Sequence, residues 1–160
     1  MIEEIKTQHF KKILIMNEKF VHWLAPLNNE SLAILLDKAT YKKQINNGDG
    51  VLIGFSNNAD YDHKNLCWLR NKFNKFFYID RVIIDTHSQG QGLAKKLYDD
   101  FTKEALSLGI PRLVCEVNTK PNNEASHKFH IKNGFKPVED VHYKDSKISV
   151  RYYEKFLLDD

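Results

Sequence analysis

The stretch "FFYIDRVIIDTHSQGQGLAKKLYDDF", residues 76–101, constrains the fold of this chain more than any other. Its first ten residues are dense in aromatic and β-branched side chains, the composition of a buried strand. A turn with glycines at 90 and 92 follows. Leu93, Leu97, Phe101 and Ala105 then recur at helical spacing over residues 90–108, until Gly109 and Pro111 stop the run. This order leaves the unpaired N–H groups and partial positive charge of a helix start at the end of a strand. Phosphate oxygens are held well there, and Gly90 and Gly92 let a bulky pyrophosphate approach the backbone. Two familiar phosphate motifs do not fit. A dinucleotide fingerprint needs a small residue where Lys95 stands, and a P-loop needs Lys and Ser/Thr where Leu93 and Ala94 stand.

The rest of the chain reads as a single domain over residues 1–160, with 42% hydrophobic and 28% charged residues and no repeat or linker. A strand is expected at "FKKILIMN" (Phe10 to Asn17). Two short helices then carry Phe20, Trp23 and Leu24, followed by Leu32, Leu35 and Leu36. Two strand-like runs flank a hairpin turn at Asn46 to Gly50, and a long polar and aromatic excursion with a helical turn or two leads to Phe76. After the glycine turn and its helix come a strand "RLVCEVN", a helix capped by Asn122 or Asn123 and ending at Gly134, and strands "FKPVEDVHY" and "KISVRYYEKFL". The order is α/β with mixed strand directions. A net charge of +3, with 24 basic residues scattered among 21 acidic ones, asks for neither nucleic acid nor an anionic membrane. Cys67 and Cys115 lack metal spacing, and no apolar run reaches the roughly 18 to 20 residues of a membrane helix. A soluble cytoplasmic protein with free thiols and no metal is expected.

"QGQGLA", Gln89 to Ala94, resembles the Gln/Arg-x-x-Gly-x-Gly/Ala signature of GNAT-type N-acetyltransferases, and "NEASHKFHIKNGF", Asn123 to Phe135, is similar to that superfamily's Asn-x-x-Ser/Ala helix ending in Gly-Phe. "NEKFVHWLAPLN", "YDHKNLCWL", "YIDRVII" and "CEVNTKPNNEASHKFHIKNGF" also resemble a poorly characterised microbial subgroup of predicted acetyltransferases. The resemblance implies a mixed, splayed central sheet of about seven strands flanked by about four helices. It implies acetyl-CoA as cosubstrate, with its pyrophosphate on the turn of Gln89, Gly90, Gln91, Gly92, Leu93 and Ala94. Its pantetheine arm would run along Val82, Ile83 and Ile84, with Asn123 and Ser126 beside it. An amide of Ile84 or a neighbour would face the developing oxyanion.

Acetyl transfer to an amine also needs a base, because a lysine amine (pKa about 10.4) or an α-amine (about 7.7 to 8) is partly or wholly protonated at neutral pH. Glu116 is the favoured candidate: a carboxylate in the middle of an apolar strand needs a cavity or a partner. Asp80 reads as the partner of Arg81, and Asp85 as a turn residue. Many relatives carry a tyrosine proton donor seven residues after the helix asparagine, where this chain has His130. Ser126, one turn earlier on the same face, is the alternative neighbour of the thiolate. Cys115 has no activating base in sequence, and strand alternation turns it away from Glu116, which argues for direct transfer. The aromatics Tyr61, Trp68 and Phe73 line an acceptor pocket or pack the excursion over the sheet. The expected function is an N-acetyltransferase acting on a small-molecule or peptide amine, compatible with a homodimer. The competing expectation is an acyl-CoA-binding sensor or interaction module without turnover.

Overall fold

A computed structural model describes residues 1–157. Seven strands form one sheet in the order β1-β2-β3-β4-β5-β7-β6: β1 Ile2–Glu4, β2 Tyr41–Ile45, β3 Gly50–Ser56, β4 Phe77–Ile84, β5 Arg112–Lys120, β6 Lys136–His142 and β7 Ser149–Phe156. Five helices flank it: α1 Phe10–Lys19, α2 Asn29–Lys38, α3 Lys64–Lys72, α4 Leu93–Ser107 and α5 Glu124–Lys132. The mixed α/β architecture is the one expected. One helix more than the resemblance implies is present, because the helical turns expected in the excursion form α3.

The expected strand at Phe10 to Asn17 is a correction: these residues lie in α1. A short apolar run does not by itself distinguish the two periods, and here Ile13, Met16 and Asn17 bury one helical face. The first strand lies upstream instead, where Ile2 to Glu4 pair antiparallel with Ile45 to Lys43. Phe20, Trp23 and Leu24 belong to no helix. They follow α1 in a chain of turns that crosses toward β4.

Two apolar clusters cover the two faces of the sheet. Ile13, Met16, Leu32, Leu35, Leu66 and Leu69 pack with Val51, Ile53, Phe55, Tyr78 and Ile83 on one face. Leu93, Leu97, Tyr98, Phe101 and Ala105 of α4 pack with Leu52, Phe77, Ile79 and Cys115 on the other. Each fully buried large side chain contributes roughly 1.5–3 kcal/mol relative to exposure. Tyr78 and Ile83, five residues apart, share a face although strict alternation would separate them. The register explains why: Ile53 pairs with Arg81 but its neighbour Gly54 pairs with Ile79, so Asp80 is an extra residue in β4, a β-bulge that resets the alternation.

The opening that positions the site lies between β4 and β5. These strands run parallel and pair only at Phe77 with Leu113 and Tyr78 with Val114. Beyond that point β4 stays on β3 as far as Ile84, while β5 stays on β7 as far as Lys120. The sheet therefore forks, and the inner edge of β4 from Ile79 onward has no strand partner.

Candidate active site

At the open end of the fork, β4 passes through a short 3-10 turn, Thr86–Ser88, into the glycine turn and α4. Gly90 has φ of 83° and Gly92, the N-cap of α4, has φ of 75°. Both lie in the left-handed region that glycine enters freely. A Cβ built at either position meets no protein atom within 4 Å. Among the described residues nothing fills the space these glycines leave, and neither glycine amide has a backbone partner.

A cleft of about 580 Å³ runs inward from this turn. That is within the usual size of a small-molecule or cofactor site. Its walls include Val82, Ile83, Ile84, Gln89, Gly90, Gly92, Leu93, Ala94, Asn123, Ser126 and His130, which sequence reasoning had brought together. Gln91 does not line it. Asn123, rather than Asn122, caps α5: its side chain accepts from the Ser126 amide at 3.4 Å. Sequence reasoning assigned Phe20, Trp23 and Leu24 to helix packing, yet they roof this cleft. Their location just ahead of Pro26, which leaves little room for a helix, was the available signal.

The roof is tied to the bulge in β4. Arg81 donates to Asp80 at 2.8 Å through Nε, and through Nη1 to Asn17 Oδ1 at 2.8 Å and the Ala25 carbonyl at 3.2 Å. Asp80 is thus the partner of a buried guanidinium, as expected. Asp85 is a turn residue: it precedes Thr86–Ser88, and its carboxylate pairs with Lys19 and His87.

Deeper in the fork, a smaller cavity of about 90 Å³ is lined by Glu116, Asp80, Arg81, Trp23, Tyr98 and His130, among others. Glu116 shares a sheet face with Tyr78 and accepts a hydrogen bond from the Tyr78 hydroxyl at 2.7 Å. Burial pushes its carboxyl up to about 8; the Tyr78 hydrogen bond acts in the opposite sense, and Asp80 adds to the rise. A carboxyl poised there changes charge close to neutral pH. Cys115 lies on the opposite face, as alternation required, and burial, with Glu116 nearby, pushes its thiol well above the ordinary range. It is not a nucleophile in waiting.

Both ring nitrogens of His130 are engaged. Nδ1 lies 2.7 Å from the Ser126 carbonyl and therefore carries the proton, so Nε2 accepts from the Tyr98 hydroxyl at 2.8 Å. Burial pushes the imidazole down to about 4, which keeps it neutral. The Ser126 hydroxyl stands 3.3 Å from Nδ1 and lines both cavities. The ring that stands where many relatives carry a tyrosine is thus held by a tyrosine hydroxyl from α4.

The aromatic excursion turns inward. Trp68 stacks on Tyr152 with ring centres 4.0 Å apart, Tyr61 stacks on Phe55 at 4.6 Å, and Arg112 covers Phe73 at 4.6 Å. Arg70 bonds the Asn57 and Ala59 carbonyls. Asp49, Asp85 and His87 bring ligand atoms within 4.8 Å of one another, but Lys12 and Lys19 already pair with the two carboxylates. Among the described residues, no helix is long and apolar enough to cross a membrane.

The sequence profile of the acetyltransferase (GNAT) family matches residues 14–135. No curated protein matches the chain. Solved structures do match along nearly the whole length. Ard1 from Thermoplasma volcanium aligns with a TM-score of 0.77 at 14% identity, covering 99% of this chain and 98% of that one. The ribosomal-protein-S18-alanine N-acetyltransferase from Escherichia coli aligns at 0.70 and 14%, covering 98% and 93%. The NatC complex bound to Gag peptide and CoA aligns at 0.72 and 13%, covering 98% of each chain. Likeness at such identities shows a shared fold, while the profile match spans both the glycine turn and the α5 helix. The chain belongs to the acetyltransferase (GNAT) family.

Proposed function

We propose that this protein is an N-acetyltransferase that moves an acetyl group from acetyl-CoA directly to the amine of a small molecule or peptide. The observation that carries the reading is the continuity of the fork: open amides at Gly90 and Gly92 at one end, and a near-neutral carboxyl at Glu116 at the other. When bound, acetyl-CoA supplies an activated thioester. The chain's own groups do the rest. Amides from Gln89 to Ala94 hold the pyrophosphate, and the unpaired inner edge of Val82 to Ile84 aligns the pantetheine arm. An amide of Ile84 or a neighbour stabilises negative charge on the thioester oxygen. Glu116 takes the proton that the attacking amine loses, directly or through one water.

The departing sulfur needs a proton in turn, and Ser126 is the group better placed to relay it, its hydroxyl giving a proton to the sulfur as it takes one from water in the cleft. Its hydroxyl lines the cleft, whereas the Nδ1 proton of His130 is held by the Ser126 carbonyl and its Nε2 is an acceptor. His130 then keeps α4 and α5 in register. Ard1 and NatC share this fold, and the NatC structure holds a peptide as well as CoA, which supports a peptide amine among the acceptor classes. Direct transfer is tested by initial-rate kinetics over an amine panel that reports CoA release. Intersecting double-reciprocal lines, with activity retained in Cys115→Ser, are expected; parallel lines with loss of activity in that variant would establish a covalent route. A sensor without turnover would bind acetyl-CoA and release no CoA with any amine in the panel.

A further inference from the structure

The last residue pair joining β4 to β5 is Tyr78 with Val114. Glu116 lies two residues farther along β5 on the same face, just past the point where backbone pairing ends. A long side chain at Tyr78 reaches that diagonal position, and its hydroxyl donates to Glu116 Oε1 at 2.7 Å. It makes no other side-chain hydrogen bond among the described residues, and neither does Glu116. Tyr78 is completely buried. Its ring fills the core as a phenylalanine would, as Phe55 and Phe76 do in the same cluster. Packing therefore accounts for the ring and leaves the hydroxyl unexplained. A buried hydroxyl needs a partner, and the partner here is the carboxyl at the mouth of the fork.

We propose that Tyr78 is a positioning residue for the transfer reaction, its hydroxyl pinning one oxygen of Glu116 across the fork so that the other is presented to the amine. The inference rests on the reading of Glu116 as the base. Tyr78 keeps its own proton throughout; burial, reinforced by Glu116, drives the phenol well above its ordinary range. The proton lost by the amine resides on Glu116. Asp80 and Arg81 approach the carboxyl from β4 with opposing charges, Tyr152 from β7 and Tyr143 from beyond β6, and Tyr98 and His130 from the helices. Among the described side chains, Tyr78 alone bonds it. Its hydrogen bond favours the charged carboxylate, so removing it disfavours ionisation.

Tyr78→Phe tests this. In protein carrying a ¹³C-labelled Glu116 carboxyl, titration by NMR should show a midpoint near 8 in the parent. In the variant it should move upward by about one unit or more, as expected for a lost hydrogen bond to a charge. With a working acceptor, the pH profile of kcat should shift alkaline by the same amount. Turnover should then be roughly ten-fold lower or more at pH 7, and a smaller deficit should remain near pH 10, where Glu116 is ionised in both proteins but unpinned in the variant, with acetyl-CoA affinity unchanged. An unmoved titration and an unmoved profile in Tyr78→Phe, with Glu116→Gln inactive, would overturn the positioning role alone. Parental turnover in Glu116→Gln would overturn the base reading itself, whatever the titration shows.

Discussion

The two ends of the fork are built by different rules. The end proposed to hold the acetyl donor is made of backbone from one continuous stretch, the turn of Gly90 and Gly92 between β4 and α4. The reaction end is made of side chains from β4, β5, α4, α5 and the segment after α1: Tyr78, Glu116, Tyr98, His130 and Trp23. Backbone recognition depends on conformation and tolerates change in neighbouring side chains. A side-chain constellation depends on several elements meeting, and on local burial to set each protonation state. The donor end should therefore fail through binding, and the reaction end through turnover.

The largest divergence is expected for Glu116→Gln. This variant keeps the shape and loses the basicity, so turnover should fall by roughly 10²-fold or more while acetyl-CoA affinity stays parental. Steady-state kinetics beside calorimetry would show it. If both parameters fell together, the two ends would not be separable.

A smaller effect separates the two neighbours of the departing thiolate. His130→Phe retains a ring to pack against Phe135 and Tyr153 but removes both nitrogens. It should reduce kcat less than Ser126→Ala does, with the serine variant losing about ten-fold or more, toward the low end for a lost acid. The reverse ranking in single-turnover rates would make His130 the proton donor.

A further expected effect is on stability. The folded-state pKa of Glu116, about 8, lies above its ordinary 4.5, so the folded protein holds a proton that the unfolded chain releases across that window. This contribution to stability is present in acid and is lost as pH rises through about 8. Glu116→Gln lacks the penalty, and its melting temperature relative to the parent should climb between pH 5 and pH 9. A pH-independent difference in thermal melts would mean that the carboxyl is not held near neutrality.

The same contrast explains what the sequence disclosed. The glycine turn was legible because its chemistry is local: strand composition, two glycines and helical spacing sit within one stretch. Glu116 stood out because a carboxylate in an apolar strand demands an explanation. The Tyr78 hydroxyl did not, since a tyrosine in "FFYID" reads as one more core aromatic until the fork places it beside Glu116. The bulge at Asp80 was equally hidden, because it appears only in how β4 registers against β3. The pairing of Tyr98 with His130 links residues 32 apart that meet only when α4 and α5 pack together. Phe10 to Asn17 misled because a short apolar run fits either period, and the upstream turn at Thr7–His9, where His9 accepts from the Lys6 amide, was not recognised as a helix start.

Titration calorimetry of acetyl-CoA against the parent and Gly92→Asp tests the central claim most directly. Aspartate tolerates the left-handed conformation better than most residues and suits an N-cap, so α4 should persist, as circular dichroism would verify. The variant puts a carboxylate and added bulk where the pyrophosphate would sit. Micromolar binding by the parent and its loss, by about 10²-fold or more, in Gly92→Asp is the predicted result, as expected for like charge placed at a phosphate site. Equal affinity in the two proteins would contradict the account, because acetyl-CoA would then not lie on the amides between β4 and α4.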